Sequence, residues 1–362
     1  MTTDALLFDP TDLLAWYDRA SVALPWRGEH DPYRVWLSEI MLQQTQVETV
    51  KPYYARFLEA FPTVNDLAAA PLDHVLKLWE GLGYYSRARN LHRAAQAVAA
   101  GGGTFPRTVE GLLDLPGIGR YTAGAIASIA YGLPAPVLDG NVIRVYARLL
   151  DLQEDVSEAA TQARLWRTAE SWLPADRPGD YNQAVMDLGR LVCKPRTPVC
   201  GECPLRAHCR AYAQGTQEQR PVKPARAQTP HYDVSAGMIW NDRGELLIAQ
   251  RPLEGLLGGL WEFPGGKQEE GETLPECLQR ELREELAIEV EVGDLFVKVR
   301  HAFTHFKITL HAFECRYVGG EPQTLGVLAW AWVVPEALDR YSFGKADRQV
   351  IAALRARRGM LL

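Results

Sequence analysis

The chain has 362 residues, 47% hydrophobic and 23% charged, with a net charge of −6. That length gives room for two domains with sizeable cores. The charge excludes a uniformly basic nucleic-acid binder: both sides of residue 211 are mildly acidic, so any footprint on a polyanion must be local. The N-terminus lacks a basic-then-apolar signal pattern, and the most apolar run, 123–138, is broken by Gly and Pro; the expectation is a soluble cytoplasmic protein without a membrane partner.

In chain order, Leu24-Pro25-Trp26-Arg27 leads to Asp31-Pro32, a helix cap followed by Pro at the first helical position, and a helix over 33–47. Trp36, Leu37, Ile40, Met41 and Val47 form its apolar stripe, with Glu39 between them. A carboxylate there either sits at the stripe's edge or has a raised pKa, which is what a general acid needs at neutral pH. After the turn Gly81-Leu82-Gly83-Tyr84-Tyr85 come Arg87, Arg89, His92 and Arg93, a first candidate cationic patch.

Helical stretches at 110–115 and 122–130 flank Pro116, Gly117 and Gly119, which gives a helix, a Gly-rich hairpin and a second helix. Gly117 and Gly119 let a backbone approach a ligand, and the following helix start offers N–H groups to a phosphate. Asp139-Gly140-Asn141 then reads either as a turn with a helix cap or as a reactive carboxylate in a loop. Downstream, Cys193, Cys200, Cys203 and Cys209 could hold zinc or a [4Fe–4S] cluster, since both accept four thiolates. Lys194, Arg196, Arg206 and Arg210 lie among them and form a second cationic patch.

Residues 213–230 are polar and Pro-rich and read as a linker. Beyond it, β-type runs at 232–240, 245–250, 296–299, 307–316 and 328–333 surround one amphipathic helix at 275–286. On that helix Glu281, Glu284 and Glu285 fall at i, i+3 and i+4, so their carboxylates share a face and could hold Mg²⁺ or simply be solvated.

The hairpin Leu115-Pro116-Gly117-Ile118-Gly119, followed about twenty residues later by Asp139 and then by four cysteines, resembles the helix-hairpin-helix DNA glycosylases of the endonuclease III superfamily. Members that also cut the backbone carry Lys where Tyr121 stands, so the resemblance is to the monofunctional branch, the MutY-type A/G-specific adenine glycosylases. The family's Ser-Glu-x-Met-Leu-Gln-Gln-Thr-Gln segment appears as 38–46. The resemblance implies that Glu39 protonates adenine N7, that Asp139 stabilises the cation-like sugar, that Tyr121 orients the site and that Asn141 assists Asp139. It also implies an adenine pocket of Trp26, Arg27 and Gln183, wedges Gln44 and Tyr84, Thr45 and Leu82 near the opposing base, DNA contacts from Gly117 and Gly119, and a [4Fe–4S] cluster on the four cysteines.

The stretch from Gly266 to Ile288 resembles the Nudix box of MutT-type pyrophosphohydrolases, with Ala287 where the family has Gly. MutY-type enzymes carry such a domain to read 8-oxoguanine through Phe-Ser-His; here Phe303-Thr304-His305 keeps the hydroxyl. The implied architecture is an all-α helix-hairpin-helix glycosylase domain over 1–212 with its iron–sulfur loop at 193–209, a linker over 213–230, and an α+β Nudix-like domain over 231–362. The implied partner is double-stranded DNA bearing A:8-oxoguanine or A:G mispairs, bound by a monomer. Competing readings are a bifunctional thymine-glycol-type lyase, a non-catalytic mismatch-binding module, and an added Mg²⁺-dependent nucleotide pyrophosphohydrolase in the second domain.

Overall fold

The computed structural model describes residues 4–20, 22–224, 228–357 and 359; linker residues 225–227 and the first three residues lie outside these. The chain divides into two compact units, one of residues 1–69 and 90–226, the other of residues 70–89 and 227–362.

In chain order the helices up to residue 213 are α1 (Pro10–Ala20), α2 (Pro32–Leu42), α3 (Val47–Ala60), α4 (Val64–Ala69), α5 (Leu72–Trp79), α6 (Ser86–Ala100), α7 (Val109–Leu113), α8 (Arg120–Tyr131), α9 (Gly140–Leu150), α10 (Ala159–Ser171), α11 (Pro178–Leu191) and α12 (Arg210–Ala213). Helix α2 starts where the sequence indicates: the Asp31 side chain accepts from Tyr33 N, and Pro32 needs no partner for a missing donor. The single helix expected over 33–47 is interrupted. Gln44 adopts a left-handed φ of 55°, which ends α2 and lifts Gln44 and Thr45 onto a loop before α3.

The hairpin joins α7 to α8 through Gly117, whose φ is 75° and whose missing Cβ makes room for the Asn90 side chain. Gly119 caps α8 with open space around it. Small residues let α8 pack closely: a Cβ on Gly124 would meet the carbonyl of Pro136 at 2.2 Å. On the far side, α9 and α11 approach so closely that Gly189 sits against Asn141. The core between α1, α8, α9, α10 and α11 is apolar and continuous, from Leu13 and Leu14 to Tyr146, Trp172 and Tyr181.

The second unit is built on β1 (His231–Trp240), β2 (Leu246–Gln250), β3 (Trp261–Glu262), β4 (Glu289–Ala302), β5 (Lys307–Gly319) and β6 (Ala329–Val333), with α13 (Leu274–Leu286) and α14 (Lys345–Arg357). The strands run β3-β2-β1-β5-β4, with β6 also paired to β2; β1 and β5 are parallel and the other pairs antiparallel. Side chains alternate across the sheet: Leu246 and Ile248 join one core with Val350 and Leu354 of α14, while Leu247 and Ala249 join another with Leu278 and Leu282 of α13. Where the sequence shows one helix there are two, because α14 has its apolar residues on one face of an otherwise charged stretch. Strand β4 also runs well beyond the expected 296–299. Residues 70–89, placed by sequence order among the helices, cluster with this unit: Lys77 Nζ donates to Tyr341 O at 3.0 Å, Phe343 N to Glu80 Oε1 at 2.9 Å, and Gln250 Nε2 to Asp73 Oδ1 at 2.9 Å. Among the described residues, no helix is long and apolar enough to cross a membrane.

Candidate active site

An open cavity of 690 Å³ in the helical unit collects residues from five separated stretches: Trp26 and Arg27, Glu39 with the Gln44–Thr45 loop, Tyr121, Asp139 with Asn141, and Gln183. Glu39 is 7% exposed in the middle of α2, and its Oε2 accepts a hydrogen bond from Tyr121 Oη at 2.6 Å. Burial raises its pKa above the ordinary carboxylate value, against smaller downward pulls from the Tyr121 hydroxyl and the Arg27 charge; the nearby Asp139 charge pushes it up further. The carboxyl is therefore buried and not at the exposed edge of the apolar stripe.

Asp139 fulfils the capping reading of its sequence. It caps α9, its Oδ1 accepting from Asn141 N at 2.9 Å and Val142 N at 2.8 Å, while Asn141 Nδ2 donates to Oδ2 at 2.8 Å. It also faces the cavity. Burial raises its pKa, and the three N–H donors oppose that by favouring the charged form. Asn141 is itself held by Arg144, whose Nη2 donates to its Oδ1 at 2.8 Å and to Gly189 O at 2.7 Å.

Arg27 forms the far wall. Its Nη1 donates to Tyr17 Oη at 2.9 Å and to Gln183 Oε1, and its Nη2 to Asp187 Oδ2 at 2.7 Å. Its Nε is buried without a partner. Asp187 is 3% exposed and also receives Arg190 at 3.0 Å. Asp187, Arg190 and Met186 line the cavity unannounced by the sequence reading, although the 182–189 segment that carries Met186 and Asp187 stood out. No lysine is among the described residues lining it.

Other predicted residues lie elsewhere. Gly117 and Gly119 form the hairpin outside this cavity. Leu82 is 5% exposed, packed inside its unit. Tyr84 is exposed, has a left-handed φ of 48°, and its hydroxyl lies 2.8 Å from Thr304 Oγ1 in the Phe303-Thr304-His305 loop, within the second unit. The first cationic patch is corrected in part: Arg87 and His92 are buried, Arg87 stacking over Trp79, because the apolar face of α6 includes them. Lys194, Arg196, Arg206 and Arg210 are exposed.

A human (Homo sapiens) protein, adenine DNA glycosylase, is 37% identical, the alignment covering 93% of this chain and 72% of the human one. The chain belongs to the adenine DNA glycosylase family. The rat (Rattus norvegicus) adenine DNA glycosylase is 36% identical over 94% of this chain and 76% of its own. Residues 37–171 match the family described as HhH-GPD superfamily base excision DNA repair protein, 193–209 the iron-sulfur binding domain of endonuclease III, and 235–353 the NUDIX domain. Among solved structures, a thermostable thymine-DNA glycosylase is 30% identical with a TM-score of 0.52, over 57% of this chain and 95% of its own.

The four cysteines of the iron–sulfur loop line one small cavity with Arg148 and Arg206. Burial pushes the Cys203 thiol up to about 12 and also raises Cys200 and Cys209, so thiolates here require a cation among them. Four thiols around one small cavity are the donor set that a [4Fe–4S] cluster takes. When bound, such a cluster supplies a structural crosslink. The buried Arg148 turns its Nη1 to Cys193 Sγ at 3.2 Å and to Lys194 O at 2.7 Å, and Arg144 Nε donates to Cys193 O at 2.7 Å.

In the Nudix box, Arg280 occupies the carboxylate face. It pairs with Glu272 at 2.8 Å, Glu281 at 3.0 Å and Glu284 at 3.1 Å. Burial pushes Glu285 up to about 7. Ala287 ends α13 with φ 56°, the left-handed conformation for which the family's Gly is suited.

Proposed function

We propose that the protein removes adenine mispaired with 8-oxoguanine, and more slowly with guanine, from double-stranded DNA by hydrolysing the N-glycosidic bond, leaving the strand uncut. The observation that carries this reading is that Glu39 and Asp139, 100 residues apart in the chain, face one cavity; burial raises both carboxyls, and Asp139 alone is held by three N–H donors that favour its charged form. Two carboxylates in unlike surroundings divide acid and anion roles. The family of relatives named adenine DNA glycosylases supports it.

In this reading a nucleotide leaves the stack, at a cost of roughly a few kcal/mol, and enters the cavity. Gln44 and Tyr84 fill the gap. Both are left-handed non-Gly residues, a conformation stored at functional positions. Trp26, Arg27 and Gln183 hold the base. Glu39 donates its proton to adenine N7; the C1′–N9 bond breaks with its electron pair going to the purine. Asp139, steadied by Asn141, stabilises the cation-like sugar until water adds to C1′ and its proton passes to a carboxylate. Tyr121 orients Glu39 and offers no amine for a Schiff base, which keeps the strand intact. Thr45 and Leu82 lie toward the opposing base, and Phe303, Thr304 and His305 read 8-oxoguanine. Gly117, Gly119 and the exposed cations of the cysteine loop hold phosphates, and the enzyme acts as a monomer.

The test is incubation with duplexes carrying adenine opposite 8-oxoguanine, guanine or thymine, with and without alkali. The reading expects strand breaks only after alkali, ranked 8-oxoguanine, then guanine, then thymine. Breaks without alkali, or no ranking, would overturn it.

A further inference from the structure

Behind the candidate active site lies a second open cavity of 420 Å³, lined by Tyr17, His30, Ile129, Ala175, Gly179 and Gln183 among others. Its volume falls within the range of pockets that hold small organic molecules, about 300–1,000 Å³. Gln183 lines both cavities, Arg27 only the first and Tyr17 only the second. The partition is made of side chains: Arg27 Nη1 donates to both Tyr17 Oη and Gln183 Oε1. Arg27 is anchored on the other side by the buried Asp187, so moving it would break a buried ion pair. Gln183 is neutral and can turn aside at the cost of a hydrogen bond.

This matters because a nucleotide drawn out of a duplex closes the mouth through which it entered. After bond cleavage the freed purine is enclosed between the abasic strand and the Arg27 wall. We propose that the excised purine leaves through this second cavity, past Gln183, while the abasic duplex still occupies the first. The inference rests on the reading of the activity given above. Gly28 and Gly132 have open space where a Cβ would stand, and Ser128 and Ile129 border the cavity.

The experiment uses the full-length protein in excess over a duplex whose mispaired adenine carries a radiolabel. Cleavage is followed by alkali treatment, and free base by rapid filtration that retains protein and duplex. The wild type is expected to release labelled adenine into the filtrate as fast as it cleaves, long before the duplex dissociates. Ala175→Trp and, independently, His30→Trp plug the second cavity from exposed positions outside the catalytic groups. They are expected to cleave at the wild-type rate but to release base about tenfold more slowly, a barrier raised by about 1.4 kcal/mol. Wild-type base appearing only with duplex dissociation, plugged variants releasing base like the wild type, or plugged variants slowed equally in cleavage would each overturn the passage. A wild type that cleaves no adenine would instead overturn the activity itself.

Discussion

The chain carries carboxylates in two settings, the cavity of the helical unit and the Nudix box of the second, and their counterions differ. Around Glu39 and Asp139 the neighbours are mostly neutral donors, Tyr121, Asn141 and backbone N–H groups, so the acids keep unsatisfied capacity toward an open cavity. On α13 a single guanidinium binds Glu272, Glu281 and Glu284, and it draws Glu272 down to about 2. Spacing on a helix places carboxylates on a face; what decides their chemistry is whether the protein has already supplied the opposite charge. By that criterion the first setting is the one we propose as reactive, and the second is an ion-pair network.

Next to Glu39 itself, the largest effect should come from Asp139→Asn. It keeps a cap acceptor for α9 but removes the anion, so single-turnover adenine release should fall by about 10²–10³-fold, the scale of a lost transition-state electrostatic contact. Circular dichroism and duplex affinity should stay near wild type. An equal loss of folding would put Asp139 with the merely structural caps.

A pH profile sharpens the same contrast. Glu39 acts as an acid only while protonated, so release should decline as pH rises through its raised pKa. The Tyr121 hydroxyl favours the ionised form of Glu39. Tyr121→Phe should therefore raise that pKa further and move the alkaline limb of the profile to higher pH, with a smaller change in maximal rate. A shift to lower pH would contradict the assignment.

Much of this was legible in the residues. The cap at Asp31, the hairpin, the cysteine spacing and the period-2 strands are local signals, and each reappears close to its expected place. What stayed hidden depends on distant partners. Asp187 and Arg190 become part of the cavity only because α11 packs on α9 and because Arg27 reaches across 160 residues. Arg87 looked like surface charge, yet Trp79 supplies a face on which it can be buried. The break at Gln44 defeated periodicity, since the apolar pattern continues through it while the backbone does not. Short β3 lacked length as a signal, and α14 was obscured by its many charges.

Two weaker tests address the second unit. Arg280→Ala should leave adenine release unchanged and lower stability by about 1 kcal/mol or less, as expected for partly exposed pairs. With the guanidinium gone, Mg²⁺ should raise the melting temperature of the variant and leave that of the wild type unchanged; a Mg²⁺ response in the wild type would show that the box is open to metal after all. Smallest is Thr304→Val, which removes the hydroxyl facing Tyr84. It should reduce the preference for 8-oxoguanine over guanine roughly two- to tenfold, the range of a net hydrogen bond of about 0.5–1.5 kcal/mol. Equal losses opposite both bases would assign Thr304 to general duplex binding.

The most direct measurement on the central pair is single-turnover adenine release by Glu39→Gln, made beside its affinity for the same A:8-oxoguanine duplex. The substitution preserves size and the acceptor for Tyr121 while removing the transferable proton. The account predicts affinity close to wild type and release reduced by about 10²–10⁴-fold, the range for general acid catalysis. Release that persists, or that falls only in step with affinity, would contradict it.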